Sequence, residues 1–293
     1  MGSDDFGIEF KNKTKRLTFI SHLRKVILDK DGFRILSIDK RPSFYGLGND
    51  AELGVEDPRI TEIHGKYYMT YVGLTRKESI STNLAVSSDL KNWKRFGIIF
   101  GEQNKDVVLL PGKVKKEYLV FHRPEGNFQF SPPHIWTACS KDLIHWGHAK
   151  TLNVTKGRKE FERSGAGPPP IKIHGGWLFL FHAVSTFHPK DFLYKLKKVF
   201  GFEVEDGHAL YATWAAILDS KNPREIIKRS HIPVMVPLRK YEVSLEGKRV
   251  IFPTGLIWDR NKKDLLIYSG AGDLYVTAKK IALGEILKTL RKV

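Results

Sequence analysis

At 293 residues, with 41% hydrophobic and 12% aromatic side chains, the chain can bury a core and lacks the composition of a disordered protein. No run approaches the roughly 20 apolar residues that span a bilayer. The opening "MGSDDFGIEF" also lacks the charged-then-apolar order of a signal peptide, so the expected location is cytoplasmic. Lys and Arg number 49 against 32 Asp and Glu, a net charge of +17, which makes nucleic acid, anionic membrane or a small anion the partners to consider.

The single cysteine, Cys139, cannot form an internal disulfide and fits a reducing compartment. Apart from "KGRK" (156–159) and "KLKKVF" (195–200), the basic residues are scattered. No recognition helix, zinc finger or aromatic RNA platform accompanies them. Most of the charge therefore reads as a solvated face, with no nucleic-acid or membrane partner expected.

In chain order, "VILDKDGFRIL" (26–36), a weaker relative of the second signature given below, is followed by "ITEIHGKYYMTYVG" (60–73), "VKKEYLVFHRP" (114–124), "IKIHGGWLFLFHAV" (171–184) and "LIWDRNKKDLLIYSG" (256–270). Each of these four is an alternating apolar hairpin around a turn of Gly, Lys or Asn. A second signature recurs between them: "LAVSSDLKNWKRF" (84–96) and "WTACSKDLIHWGHA" (136–149), with a weaker relative at "AAILDSKNPREII" (215–227). In Ser-x-Asp-Leu-x-x-Trp the Ser and Asp can bond the turn backbone while the Trp packs between layers. Two stretches look helical, the basic amphipathic "HPKDFLYKLKKVFGF" (188–202) and the C-terminal "LGEILKTLRKV" (283–293).

Short strands repeating every few tens of residues point to radial repetition. The expectation is an all-β, five-bladed β-propeller over residues 1–293, one domain with one helical insertion and a short C-terminal helix. A β-sandwich also uses alternating hairpins; the near-duplicate turn motifs favour the propeller. A propeller binds ligands where its inner strands converge, so functional residues should lie far apart in sequence at equivalent points of the repeat. "GVEDPRI" (54–60), "NKDVVLLP" (104–111), "FERSGAGPPPI" (161–171) and "VIFPTGLI" (250–257) each stand just before or at the start of an inner strand. Asp57 beside Pro58 reads equally as a capped turn or as a working acid. The small residues and prolines of "SGAGPPPI" would let a ligand approach the backbone. In "FHRP", Arg123 either caps a strand or meets an anion with its planar fork.

These stretches, together with "YSGAGDLYV", resemble the successive motifs of glycoside hydrolase family 130, the β-mannoside phosphorylases and related mannosidases, in the family's order from about residue 20 to 285. The resemblance implies a five-bladed propeller cleaving a β-mannosidic bond with inorganic phosphate as co-substrate, with inversion, to give α-mannose 1-phosphate. No cofactor and no metal is implied. Asp57 corresponds to the general acid, acting through a mannose hydroxyl. One carboxyl suffices because phosphate is already an anionic nucleophile, unlike the usual two-carboxylate glycosidase.

By the same resemblance, Lys105, Arg123 and Arg163 bind phosphate, although an arginine is usual at 105 and a lysine at 163. Tyr211, Asp273, His182, Arg59 and Glu242 are the implied substrate contacts, with Ala212 where the family commonly has arginine. Glu56 and Arg59 are expected to pair and orient the Asp57 loop. The family's opening strand pair is missing or much shortened before "TFISHLRKVILDKDG", so the first blade is expected to be incomplete, with His22 and Arg24 as substitute anion contacts. The expected partners are a manno-oligosaccharide, β-1,2- or β-1,4-linked, and phosphate, with a homo-oligomer left open. An inverting mannosidase using water with Glu242 or Glu162 as base is the alternative. A non-catalytic carbohydrate- or polyanion-binding propeller is the third.

Overall fold

The computed structural model describes residues 8–11, 14–17, 19–101, 103–126, 132–157, 161–186 and 209–293. The expected helix at 188–202 and the basic run at 195–200 lie outside these residues, as does part of "KGRK". Within them the protein is all-β, with two short helices and one 3-10 turn. A hairpin of β1 (Ile8–Lys11) and β2 (Thr14–Leu17) precedes a second, β3 (Val26–Leu28) with β4 (Ile35–Ile38). Helix α1 (Gly48–Ala51) then leads into an antiparallel sheet of β5 (Gly54–Ile63), β6 (Lys66–Leu74), β7 (Ile80–Ser87) and β8 (Lys94–Phe100). The next sheet repeats that meander: β9 (Asn104–Val114), β10 (Glu117–Pro124), β11 (Trp136–Ser140) and β12 (Gly147–Thr151).

In the third large sheet, β13 (Arg163–Ala166) and β14 (Ile171–Ile173) both pair with β15 (Gly176–Thr186), followed by β16 (Ala209–Leu218) and β17 (Ile226–Ser230). The last meander is β18 (Arg249–Trp258), β19 (Asp264–Ala271) and β20 (Tyr275–Ala282), joined to β16 by a short parallel pairing of Leu210 and Tyr211 with Arg249 and Val250. After helix α2 (Leu283–Lys288), strand β21 (Leu290–Lys292) lies against β17. The expected C-terminal helix thus stops short. Leu290 is buried and paired opposite Ser230, and that tertiary pairing overrides the helix propensity of the final residues.

The four expected hairpins are present, and their turns explain their residues. His64 and Gly65 form a two-residue connection with both φ positive, 52° and 73°, and Lys115 and Lys116 do the same at 49° and 73°. Such mirror-image turns match the right-handed twist of the flanking strands. The Ser-x-Asp-Leu turns are near copies. Ser87 Oγ accepts from the N–H groups of Asp89 and Leu90, and Asp89 Oδ1 from those of Lys91 and Asn92 at 2.8 Å. Ser140 and Asp142 repeat this set at Leu143, Ile144 and His145. Trp93 and Trp146, at the ends of the motifs, pack against separate apolar clusters.

The core sits between successive sheets rather than inside any one of them. One cluster joins β9–β11 to β13, β15 and β16 through Phe121, Phe179, Phe181 and Trp214. A second joins β15 and β16 to β18 and β19 and takes in Ile286 of α2 and Leu290 of β21. A third lies between β5–β7 and β9–β11. Inner strands are therefore covered on both faces, which is why β16 reads as a nearly unbroken small and apolar run. Buried threonines tie neighbouring sheets: Thr70 donates to the Val107 carbonyl at 2.5 Å and Thr82 to that of Asn104 at 2.6 Å. These bonds bring the start of β9 beside the sheet that carries Asp57.

Candidate active site

The inner strands are irregular where the polar residues lie. Between Glu56 and Arg59 strand β5 carries one residue more than β6, and between Lys105 and Val108 strand β9 carries one more than β10. The extra residues fall at Asp57 and Asp106, whose φ values are 50° and 53°. Strand β18 has the same irregularity between Pro253 and Gly255. A bulge re-aims a side chain out of the ladder. Aspartate is among the few non-glycine residues that enter this left-handed region, and strain of this kind concentrates at functional sites.

Asp106 is the hub of a buried charge cluster. Its Oδ1 accepts from Arg59 Nη2 at 3.0 Å, its Oδ2 lies 2.5 Å from Arg123 Nη1, and His182 Nε2 is 3.4 Å away. Burial alone would push its carboxyl up; Arg123, then His182 and Arg59, hold it down at about 2. Arg59 also donates from Nε to the Gly167 carbonyl at 3.1 Å and from Nη1 to the Asp57 carbonyl at 3.2 Å, while its guanidinium lies 5.0 Å from the Phe252 ring centre. One arginine thereby links the strands that carry Asp57, Asp106 and Phe252 to the segment just after β13 at Gly167.

The carboxylate that meets Arg59 is Asp106, which corrects the expected pairing with Glu56. Glu56 accepts from Ser21 Oγ at 3.0 Å, on the segment where Val55 N–H bonds the Ser21 carbonyl. Asp106 was missed in the sequence, although "EDP" and "KDV" occupy the same point of two successive repeats. That equivalence was the available signal.

Asp57 is half-buried beside this cluster. Loss of water pushes its carboxyl above the usual range, against the pull of Arg59, Lys105 and Arg123 and with the help of the nearby Asp106 charge. Lys105 pairs across the ladder with Arg123. His182 is buried, and burial lowers it to about 3, so the ring is neutral. Because Arg123 Nη1 can only donate, His182 Nε2 accepts at 3.1 Å and the proton resides on Nδ1. His182 rests on Phe252 at 4.7 Å and faces Tyr211 at 6.3 Å, and the Arg163 guanidinium stands 5.9 Å from the Tyr211 ring centre. His122 points elsewhere: it meets Asn104 at 3.1 Å and stacks on Phe100, and burial lowers it to about 4.

Gly165, in the "SGAGPPP" stretch, has a packing reason of its own. A Cβ on Gly165 would lie 2.0 Å from Asp106 Oδ2, 2.4 Å from His182 Cε1 and 2.7 Å from Arg123 Nη1. Glycine stands there because the charge cluster occupies the space a side chain would need.

Two expected contacts lie on other elements. Asp273, at φ 56°, sits exposed in the turn between β19 and β20. The adjoining Gly272 packs against the carbonyls of Tyr241 and Val243. Glu242, in the 3-10 turn Lys240–Glu242, is fully buried; its Oε1 accepts from Lys279 Nζ at 2.7 Å and its Oε2 from Arg239 N–H at 2.8 Å. Both oxygens are used inside the protein, which corrects its assignment as a substrate contact or a base. His22 and Arg24 are exposed on either side of Leu23, and Glu162 is exposed at the start of β13. Among the described residues no cluster of metal-ligating side chains is present, and no helix is long and apolar enough to cross a membrane.

The sequence profile described as beta-1,4-mannooligosaccharide phosphorylase, that of glycoside hydrolase family 130, matches residues 40–292. The chain belongs to glycoside hydrolase family 130. Among its relatives, the beta-1,2-mannobiose phosphorylase of Listeria innocua is 29% identical over 94% of this chain and 70% of its own length. The 1,2-beta-oligomannan phosphorylase of a Thermoanaerobacter species is 30% identical over 92% and 81%. The solved structure of the Listeria innocua enzyme with beta-1,2-mannobiose superposes with a TM-score of 0.77 at 25% identity, covering 98% of this chain and 77% of that one. The match spans the bulged strands and both meanders that carry the charge cluster, so this family 130 enzyme retains the family's fold around its candidate site.

Proposed function

We propose that the protein is an inverting β-mannoside phosphorylase, with inorganic phosphate as nucleophile and α-mannose 1-phosphate as product. The observation that carries this reading is the pairing of one carboxyl group that resists ionisation, Asp57, with a surrounding set of cations. The other two carboxylates in the cluster, Asp106 and Glu125, are both committed to arginines. Glu242 is closed off by Lys279 and the backbone. Glu162, the other base considered, is exposed just before β13; hydrolysis would need such a carboxylate to activate water, whereas phosphorolysis requires only an acid and a cradle for an anion.

In the proposed step, Asp57 gives its proton to the bridging oxygen through a hydroxyl of the bound mannose. The glycosidic bond breaks, and a phosphate oxygen bonds the anomeric carbon from the opposite face. Lys105, Arg123 and Arg163 hold the phosphate, while Tyr211, Asp273 and the neutral His182 border the sugar. Charge-assisted bonds are the strong ones for such an anion, and fixing it in line with the anomeric carbon supplies much of the rate. The five sheets from β3–β4 to β18–β20 form, in this reading, the five blades of a propeller around the cluster, the first of them two-stranded. The relatives at 29–30% identity are named for β-1,2 linkages and one at 25% for β-1,4 linkages, so a β-1,2-mannoside is the preferred substrate. Incubation of the purified protein with β-1,2- and β-1,4-mannobiose, with and without phosphate, should give α-mannose 1-phosphate only with phosphate. Mannose release at the same rate without phosphate would overturn the reading in favour of a mannosidase.

A further inference from the structure

Arg123 offers a planar fork suited to a phosphate, yet its edges already meet protein groups. One edge faces inward: Nη1 meets Asp106 Oδ2 at 2.5 Å and His182 Nε2 at 3.1 Å. The other edge, Nε and Nη2, closes on a single oxygen of Glu125, with Nε donating at 2.7 Å and Nη2 also in contact. The Arg123 side chain is 7% exposed and that of Glu125 is 18% exposed, so the glutamate stands between the guanidinium and solvent. The backbone of Glu125 is anchored there, since its N–H donates to the Gln103 carbonyl at 2.8 Å. A carboxylate on the Nε/Nη2 edge makes the same charge-assisted contacts that a phosphate oxygen would make there.

We propose that Glu125 is an internal anion that occupies the phosphate edge of Arg123 and must be displaced for phosphate to bind, so that this residue sets the enzyme's phosphate affinity. The inference rests on the phosphorolytic reading of the site. The inner edge of Arg123 cannot serve instead, because Asp106 is 3% exposed and is held by Arg59 as well. Phosphate and Glu125 cannot share the outer edge without placing like charges in contact. The donors therefore pass from one anion to the other. With Glu125 removed, Lys105 still stands opposite Arg123 in the ladder and supplies a second positive group for the incoming anion.

The test compares the wild type with Glu125→Gln and Glu125→Ala, titrating inorganic phosphate in two ways: by thermal shift without sugar, and by initial rate at saturating mannobiose. Both variants should bind phosphate about tenfold more tightly or better, the worth of one charge-assisted bond no longer contested, and KM for phosphate should fall in step. Phosphate midpoints that are unchanged or raised in both variants would overturn the proposal and make Glu125 an orienting partner of Arg123. Tighter phosphate binding by the variants, with cleavage by every form indifferent to phosphate, would support the role of Glu125 while sinking the phosphorylase reading. Absence of phosphate binding in all three forms would overturn the proposal itself.

Discussion

Two groups of aspartates in this protein look alike in sequence but draw their charge balance from different sources. Asp89 and Asp142 lie in exposed turns, where local hydrogen bonds hold each carboxylate well below the usual range: at Asp142 the His145 ring, then backbone N–H groups and a serine hydroxyl, and at Asp89 backbone N–H groups, then the Asn92 amide and a serine hydroxyl. Asp57 and Asp106 lie in bulges of inner strands, where water is scarce and the counter-charges are arginines and a lysine. In the turns the carboxylate stabilises its own local backbone. In the centre its ionisation depends on side chains from other sheets, so Asp106 is driven to ionise while Asp57, next to it, is held back from doing so. Two neighbouring carboxyls pushed apart in this way can divide an acid's work from a structural anion's work.

The largest expected effect is at Asp57. Asp57→Asn should reduce phosphorolysis by about 10²–10⁴-fold, the usual worth of general acid catalysis, while leaving the unfolding midpoint unchanged or raised because a desolvated carboxyl has been removed. Retained turnover would erase the distinction between the two groups.

Asp106→Asn should act in the reverse sense. It leaves two buried guanidinium groups short of a counter-charge, a loss of about 3–5 kcal/mol by chemical denaturation. A well-folded Asp106→Asn protein with wild-type stability would mean that the cluster is not the hub its geometry describes.

The comparison sharpens with pH. His182 and His122 are lowered to about 3 and about 4 from an unfolded value of 6.5. The unfolded chain therefore takes up protons first, and stability is fully present above pH 6.5 and falls as pH drops, by about 1.4 kcal/mol per pH unit for each histidine. Asp106 adds a loss in the same direction between 3.8 and about 2. Asp57, being raised, opposes them, because protonation relieves its burial. Urea midpoints measured from pH 7.5 to 4.5 should decline, and a flat profile would mean that the two histidines are not held neutral. The smallest effect belongs to the outer turns: Asp142→Asn should shift the melting temperature slightly and leave the rate untouched, and a clear loss of rate would contradict the division of roles.

The sheets were legible because each hairpin carries its own local signals, such as the alternation of "YYMTYV" and the Gly or Lys residues of the two-residue turns. That Asp57 and Lys105 stand near the starts of their strands was legible through the repeat, whereas the phosphate roles of the cations came only from the family resemblance. What was not legible depends on contacts between sheets. Arg59 could have met Glu56 by proximity in sequence, but Asp106, 47 residues away, is where the folded sheets bring a carboxylate. Glu242 looked available as an isolated acid and was paired by Lys279, 37 residues on. The end of the C-terminal helix depended on β17, which no local signal connects to Leu290.

The bulges at Asp57 and Asp106 also bear on how this chain can be varied. Each adds one residue to a strand whose side chains otherwise alternate between two faces. A single-residue deletion at either point would remove more than one group: every residue on one side of it would exchange its facing, sending apolar residues such as Val108 and Leu110 to the opposite face of the sheet. In sequence comparison or library design these two positions therefore behave as parity markers, where a change of length is far less tolerable than a change of side chain.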